Sequence, residues 1–305
     1  MKRLFTFGCS YTSYSWPTWA NMLEYDFDTV ENWALSGIGN RAIAERVAEC
    51  NAKHHFNKDD VVIVQWSSHL RNDWWHQETM PERTLGWKTY GSIFNYHNAN
   101  LYDEKWLNTF FYEPAYFMHT LNNISLVQGF LENTGCTYYM TSIGDIRNLG
   151  GDMRVRELYG EQSDMIKKYT NQKGSYAGWD LIPDLQVYEK PIWEDRKDRW
   201  LMPMELFCQT CPDLSYAFVD GVGENFVDLH PSVSQHRLWL EQELKNKLNL
   251  SNELFDQTLD LAESVKLLQQ KFRSNKAAFE FSLATKVGFP ESANKLKWPG
   301  RPQGF

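Results

Sequence analysis

Two rhythms of apolar and polar positions alternate along the first 248 residues. Lys2–Phe7 (KRLFTF) alternates and then turns apolar, as a strand does on entering a buried sheet. Asp60–Trp66 (DVVIVQW) is apolar almost without a break, the pattern of a parallel strand covered on both faces. Thr29–Ala34, Thr137–Ile143 and Ser215–Val219 complete the predicted strands. Between them the spacing becomes helical. Ser15-Trp16-Pro17 opens a helix to about Tyr25, and Ile43, Val47 and Cys50 mark another over Arg41–His54. A long helix starts at Pro114, runs to about Asn133 and stops at Gly135; a further one follows Asp228–Ser232 to about Leu248. Such alternation predicts an α/β fold, a three-layer α/β/α sandwich with right-handed crossovers and a central parallel sheet.

Two stretches interrupt the rhythm. Residues 67–113 carry Trp74, Trp75, Trp87, Tyr90, Phe94, Tyr96, Tyr102 and Trp106, and residues 145–210 are again rich in Trp and Tyr. The reading is one domain over residues 1–248 with two aromatic insertions, followed over 249–305 by a helical extension and a basic tail. Leu254, Phe255, Leu259, Leu261, Leu267, Leu268 and Phe272 give that extension apolar faces, which must dock on the body or mediate a homo-oligomer.

Charge and composition narrow the classes of function. A net charge of −8 argues against a nucleic-acid partner, although residues 266–305 hold eight Lys or Arg against two Glu. No apolar run approaches the roughly 18 residues of a membrane span. The N-terminus reads as a first strand with no secretory segment, so the expectation is a cytoplasmic protein with no membrane partner. Five cysteines make no disulfide framework, and Cys208-Gln-Thr-Cys211 has no second pair at ligand spacing. No metal and no cofactor are expected, and these cysteines read as packing residues.

Candidate chemistry gathers where strands end, the place where active sites form in parallel sheets. The first strand ends in Gly8-Cys9-Ser10, which offers two nucleophiles. The second ends in Asn32-Trp33-Ala34-Leu35-Ser36-Gly37, the third in Ser67-Ser68-His69, and Asp228-Leu229-His230-Pro231 precedes the last helix of the domain.

Gly8-Cys9-Ser10 resembles the G-D-S block of the SGNH/GDSL hydrolases, Asn32–Gly37 is similar to that family's N-x-x-x-S-G block, and Asp228–Pro231 to its D-x-x-H-P block. The resemblance covers residues 3 to 248 and implies a flavodoxin-like serine esterase with a Ser10-His230-Asp228 triad. The chemistry is coherent: histidine takes the serine proton, and a carboxylate orients the histidine. The family implies backbone N–H donors at Ser10 and Gly37 for the oxyanion. Cys9 stands where the family has aspartate and alternates away from Ser10, so it reads as a buried packer.

Two departures stand out. The family's acid usually lies three residues before the histidine, where this chain has Val227; Asp228 lies two before, and Asp220 is a distant second candidate. The family's G-x-N-D block is missing, and His69 falls where the oxyanion asparagine would stand. Ser67, Ser68 and His69 are therefore candidates for the remaining oxyanion contact, with Asn72-Asp73 three residues late. Substrate class is read from the aromatics: flat rings stack on sugars, which points to a small acyl ester, such as an acetyl ester, of a carbohydrate or another polar alcohol. The alternatives are that those rings form a mini-core, that the triad performs O-acyl transfer, or that the fold is a non-catalytic binding or structural protein.

Overall fold

The computed structural model describes residues 2–76, 86–93, 102–147 and 183–286. Phe94, Tyr96, His97, most of the second insertion (148–182) and the basic tail from residue 287 lie outside the described residues. The chain builds β1 (Arg3–Phe7), α1 (Trp19–Met22), β2 (Thr29–Asn32), α2 (Asn40–His54) and β3 (Asp60–Trp66) in succession. An antiparallel hairpin, β4 (Arg71–His76) and β5 (Gly86–Ser92), leads to α3 (Glu104–Phe110) and α4 (Glu113–Thr134), and β6 (Thr137–Ser142) follows. Then come α5 (Met204–Gln209), a short hairpin of β7 (Ala217–Val219) and β8 (Asn225–Val227), and the helices α6 (Val233–Glu243), α7 (Lys245–Leu248), α8 (Asn252–Lys271) and α9 (Lys276–Lys286).

The central sheet has four parallel strands in the order β2-β1-β3-β6. All seven residues of β3 are buried, which is why its sequence is so evenly apolar, whereas β2 at the edge is half-buried throughout. Phe7 pairs with Val64 and Trp66 with Ser142, so the carboxyl ends of β1, β3 and β6 form one rim. α2 packs on α4; α1 packs on α6, which also carries α8. The arrangement is compatible with a three-layer sandwich, its core running through Phe5, Phe7, Val62, Trp66, Leu121 and Trp239.

The expected fifth strand is corrected. Ala217–Val219 pairs antiparallel with Asn225–Val227 and does not join the sheet. The position beside β6 is taken instead by Trp200, in a parallel bridge to Met140, with the Leu201 N–H donating to Met140 O at 2.8 Å. The expected helix from Ser15 is also shorter. Thr18 is its N-cap, while Trp16 is drawn away, its indole donating to Pro231 O at 2.8 Å.

On α8, Leu254 and Phe255 are buried against the body, but Leu259 and Leu267 are 43% and 67% exposed, so the apolar face is narrower than the sequence suggested. In the first insertion, Ile93, Tyr102 and Leu107 form a satellite core packed by Leu70, Trp106, Phe111 and Tyr116. Among the described residues, no helix is long and apolar enough to cross a membrane.

Candidate active site

Ser10 lies on the tight loop that leaves β1. The N–H groups of Thr12 and Ser13 both donate to Cys9 O at 3.0 Å, which folds the chain back on itself and buries Ser10. Gly8 is needed for this: a Cβ there would stand 2.2 Å from Thr12 Oγ1, whose hydroxyl donates to Gln65 Oε1 on β3 at 2.7 Å. Asn32, at the end of β2, donates from Nδ2 to Thr12 O at 2.8 Å and accepts the Ala34 N–H at 3.1 Å. One side chain thereby holds the serine loop to the loop containing Gly37. Cys9 is fully buried, as expected of a packing residue. Cys208 is buried as well, whereas Cys211 is only half-buried, and all five cysteines are free thiols.

The loop 228–231 is sewn to the serine loop by three aromatic side chains. Tyr11 donates from its hydroxyl to Leu229 O at 2.9 Å, Trp16 donates to Pro231 O, and Tyr14 stacks on the His230 ring with centroids 3.6 Å apart. Asp228 accepts His230 Nδ1–H at 2.8 Å, which leaves Nε2 as the basic nitrogen of the neutral ring. The same oxygen, Oδ1, accepts the backbone N–H of His230 at 2.8 Å. This Asx-type turn is how an aspartate only two residues before a histidine reaches its ring. Its other oxygen, Oδ2, is paired with Lys276 Nζ at 2.7 Å. Burial, the largest single influence, pushes the Asp228 carboxyl up, but hydrogen bonds and charge from His230 and Lys276 together prevail and hold it at about 2. Next to it, His236 is completely buried; burial, then the charge of His230, depresses it to about 3, so it stays neutral. Asp220 takes no part: it accepts the N–H groups of Val222 and Glu224 at the tip of the β7–β8 hairpin.

The rim at β3 sorts the three oxyanion candidates. His69 is committed to Glu113, Nε2 to Oε1 at 3.1 Å, and both side chains are buried. Ser68 Oγ accepts the Leu70 N–H at 3.2 Å. Ser67 has its backbone clamped by Asn40, whose Oδ1 accepts the Ser67 N–H at 2.7 Å and whose Nδ2 donates to Ser67 O at 3.0 Å. Its hydroxyl, however, is buried with no partner among the described residues.

The late Asn72-Asp73 pair does structural work. Asn72 bonds to Tyr102, and Asp73 accepts the N–H groups of Gly39 and Ala42 at 2.7 and 3.0 Å, capping α2 where Gly39 offers no side chain. Gly39 N–H is therefore occupied. Among the described residues, the N–H groups of Ser10 and Gly37 have no acceptor. Gly37 adopts a left-handed φ of 85°, which a side chain would strain.

At the outer edge of β2, Glu31, Cys50 and His54 bring possible metal ligands within 4.8 Å of one another. His54 and Glu31 are already paired at 3.0 Å, the Trp33 indole donates to the same carboxylate at 2.9 Å, and burial pushes the Cys50 thiol far above its usual range. Arg3 and Lys53, over the rings of Phe5 and Trp33, add positive charge beside them. The cluster is thus a His54–Glu31 contact beside a protonated thiol. No family model matches the chain, and a search of the curated proteins finds no match.

Proposed function

We propose that this protein is a serine esterase that removes a small acyl group from a polar alcohol, with Ser10 as nucleophile, His230 as general base and Asp228 as its orienting carboxylate. The observation that carries the reading is the Asp228–His230 pair, held at 2.8 Å on a loop that three residues of the Ser10 loop grip directly. Ser10 attacks the ester carbonyl as His230 Nε2 takes its proton. The resulting oxyanion is met by the N–H groups of Ser10 and Gly37, with the Ser67 hydroxyl as the third donor. His230 returns the proton to the departing alcohol, and water, activated by the same imidazole, releases the acid from the acyl-enzyme.

The alcohol is the less constrained half. Tyr102 and Trp106 meet edge to face, with ring centroids 4.6 Å apart, in the satellite core, which supports a packing role for these rings over sugar stacking. A small acetyl ester is the fitting first probe. Hydrolysis of p-nitrophenyl acetate by the purified protein, abolished in Ser10→Ala, tests the reading; equal rates in the two proteins would reject it. A panel of acetylated sugars and simple polyols then identifies the alcohol, and product analysis with added acceptor separates hydrolysis from acyl transfer.

A further inference from the structure

Lys276 lies in the first turn of α9, well after the last strand, yet its ammonium stands 2.7 Å from Asp228 Oδ2. That helix is anchored a turn later by Phe279, which is fully buried against the rings of Trp16, Tyr216 and Phe218 at 6.0, 5.9 and 5.5 Å. Tyr14 completes the grouping: its hydroxyl lies 3.3 Å from Lys276 Nζ and 3.4 Å from Asp228 Oδ2, while its ring covers His230. The aspartate thus divides its two oxygens, one to the imidazole and one to an ammonium.

We infer that Lys276 is a positioning residue for the Asp228–His230 pair, fixing the carboxylate's orientation and offsetting its charge so that His230 stays neutral to lower pH. The kinetic side of this inference rests on the esterase reading; the electrostatic side does not. An unshielded aspartate favours the imidazolium strongly, whereas a carboxylate already paired with a cation favours it less. The other groups facing the pair are Tyr11 and Tyr14 from the serine loop and the neutral His236 from α6. Beyond them lie Glu280 on α9, 3.5 Å from Lys276, and Glu205 on α5, which meets the Tyr11 hydroxyl at 3.2 Å. Glu280 pulls in the opposite direction to Lys276, with which it is paired, and its charge also acts on Tyr14.

The test is the titration of His230, followed by NMR in the full chain and assigned by its disappearance in His230→Gln. Lys276→Met should raise the His230 pKa by about one unit, while Lys276→Arg should leave it in place. In p-nitrophenyl acetate hydrolysis the acid limb of kcat/KM should move up by the same amount, about a tenfold loss below it. An unchanged or lowered His230 pKa in Lys276→Met, with the fold intact by its melting curve, overturns the inference. Should Lys276→Met fail to fold, Lys276→Gln, which retains a donor to Asp228 without the charge, replaces it under the same criterion. If the wild-type protein hydrolyses no ester, the esterase reading falls and the titration still decides the role of Lys276.

Discussion

The two sides of Ser10 differ in how their hydrogen bonds are used. Toward α6, Asp228 commits Oδ1 to two N–H groups of His230 and Oδ2 to Lys276, and the Tyr11 and Trp16 side chains donate to backbone carbonyls of the histidine loop. Toward β3, the Ser67 hydroxyl is buried without a partner, and the N–H groups of Ser10 and Gly37 have no acceptor among the described residues. Buried polar groups are normally satisfied; among the described residues the α6 side also leaves one open, His236 Nδ1, while the β3 side leaves donors that a ligand's charge would complete. On the proposed mechanism, the Asp228–His230 pair holds the base in one orientation, and the open donors receive the oxyanion.

The contrast can be broken most severely at the base. Ser10→Ala and His230→Ala should each lower p-nitrophenyl acetate turnover on the order of 10⁴-fold or more, and the double variant little further, because the members of a triad act as a unit. Cys9→Ala should retain most activity; the reverse result would make the cysteine the nucleophile. On the open side, Ser67→Ala should cost roughly 10²–10³ in kcat, as for a lost oxyanion donor. Since its hydroxyl has no partner to lose, the melting temperature should hold or rise. His69→Ala should do the opposite: it removes the buried His69–Glu113 hydrogen bond, for about 1 kcal/mol in urea unfolding. A melting loss in Ser67→Ala with unchanged kcat would show that the open side is not an oxyanion site.

Smaller effects sharpen the picture. Asp228 titrates at about 2 in the folded chain, below its usual value, so its bonds contribute stability above about pH 4 that is lost as pH falls through 2. Unfolding of Asp228→Asn should therefore trail wild type by about 2 kcal/mol at pH 6 and converge with it at the acid end. Asp73→Ala removes the cap of α2 and should cost about 1 kcal/mol. It also frees the Gly39 N–H, so any gain of an oxyanion contact by that glycine would appear as a raised kcat for the ester.

β1, β3 and β6 were legible because a strand buried on both faces must be apolar along its whole length, and Asp60–Trp66 is. The short β7 was misplaced because three apolar residues pack equally well in a parallel core or a hairpin. Trp200 gave no strand signal, since a single bridge in Arg-Trp-Leu-Met-Pro carries no periodicity. For the site, Asp228 and His230 are paired by the resemblance to the D-x-x-H-P block, against its usual spacing, while Ser67 could not be separated from Ser68 and His69. That distinction depends on Glu113 and Asn40, which only the fold brings near. Tyr11, Tyr14 and Trp16 do carry a signal in the sequence: three aromatics within six residues of a candidate nucleophile. Lys276 left none.

The stitching of the serine loop also has a consequence for assembly order. Its contacts with the histidine loop and with α9 span 218 residues at Tyr11–Leu229, 215 at Trp16–Pro231 and 262 at Tyr14–Lys276. Each closes a loop across most of the chain, and contacts of that range form late because their entropy must be met before they return anything. β1, by contrast, pairs with β2 at a separation of 26 residues. In refolding, the sheet's secondary structure should therefore return before Tyr14 stacks on His230, and in synthesis Ser10 would be made long before the His230 loop that the proposed mechanism pairs it with.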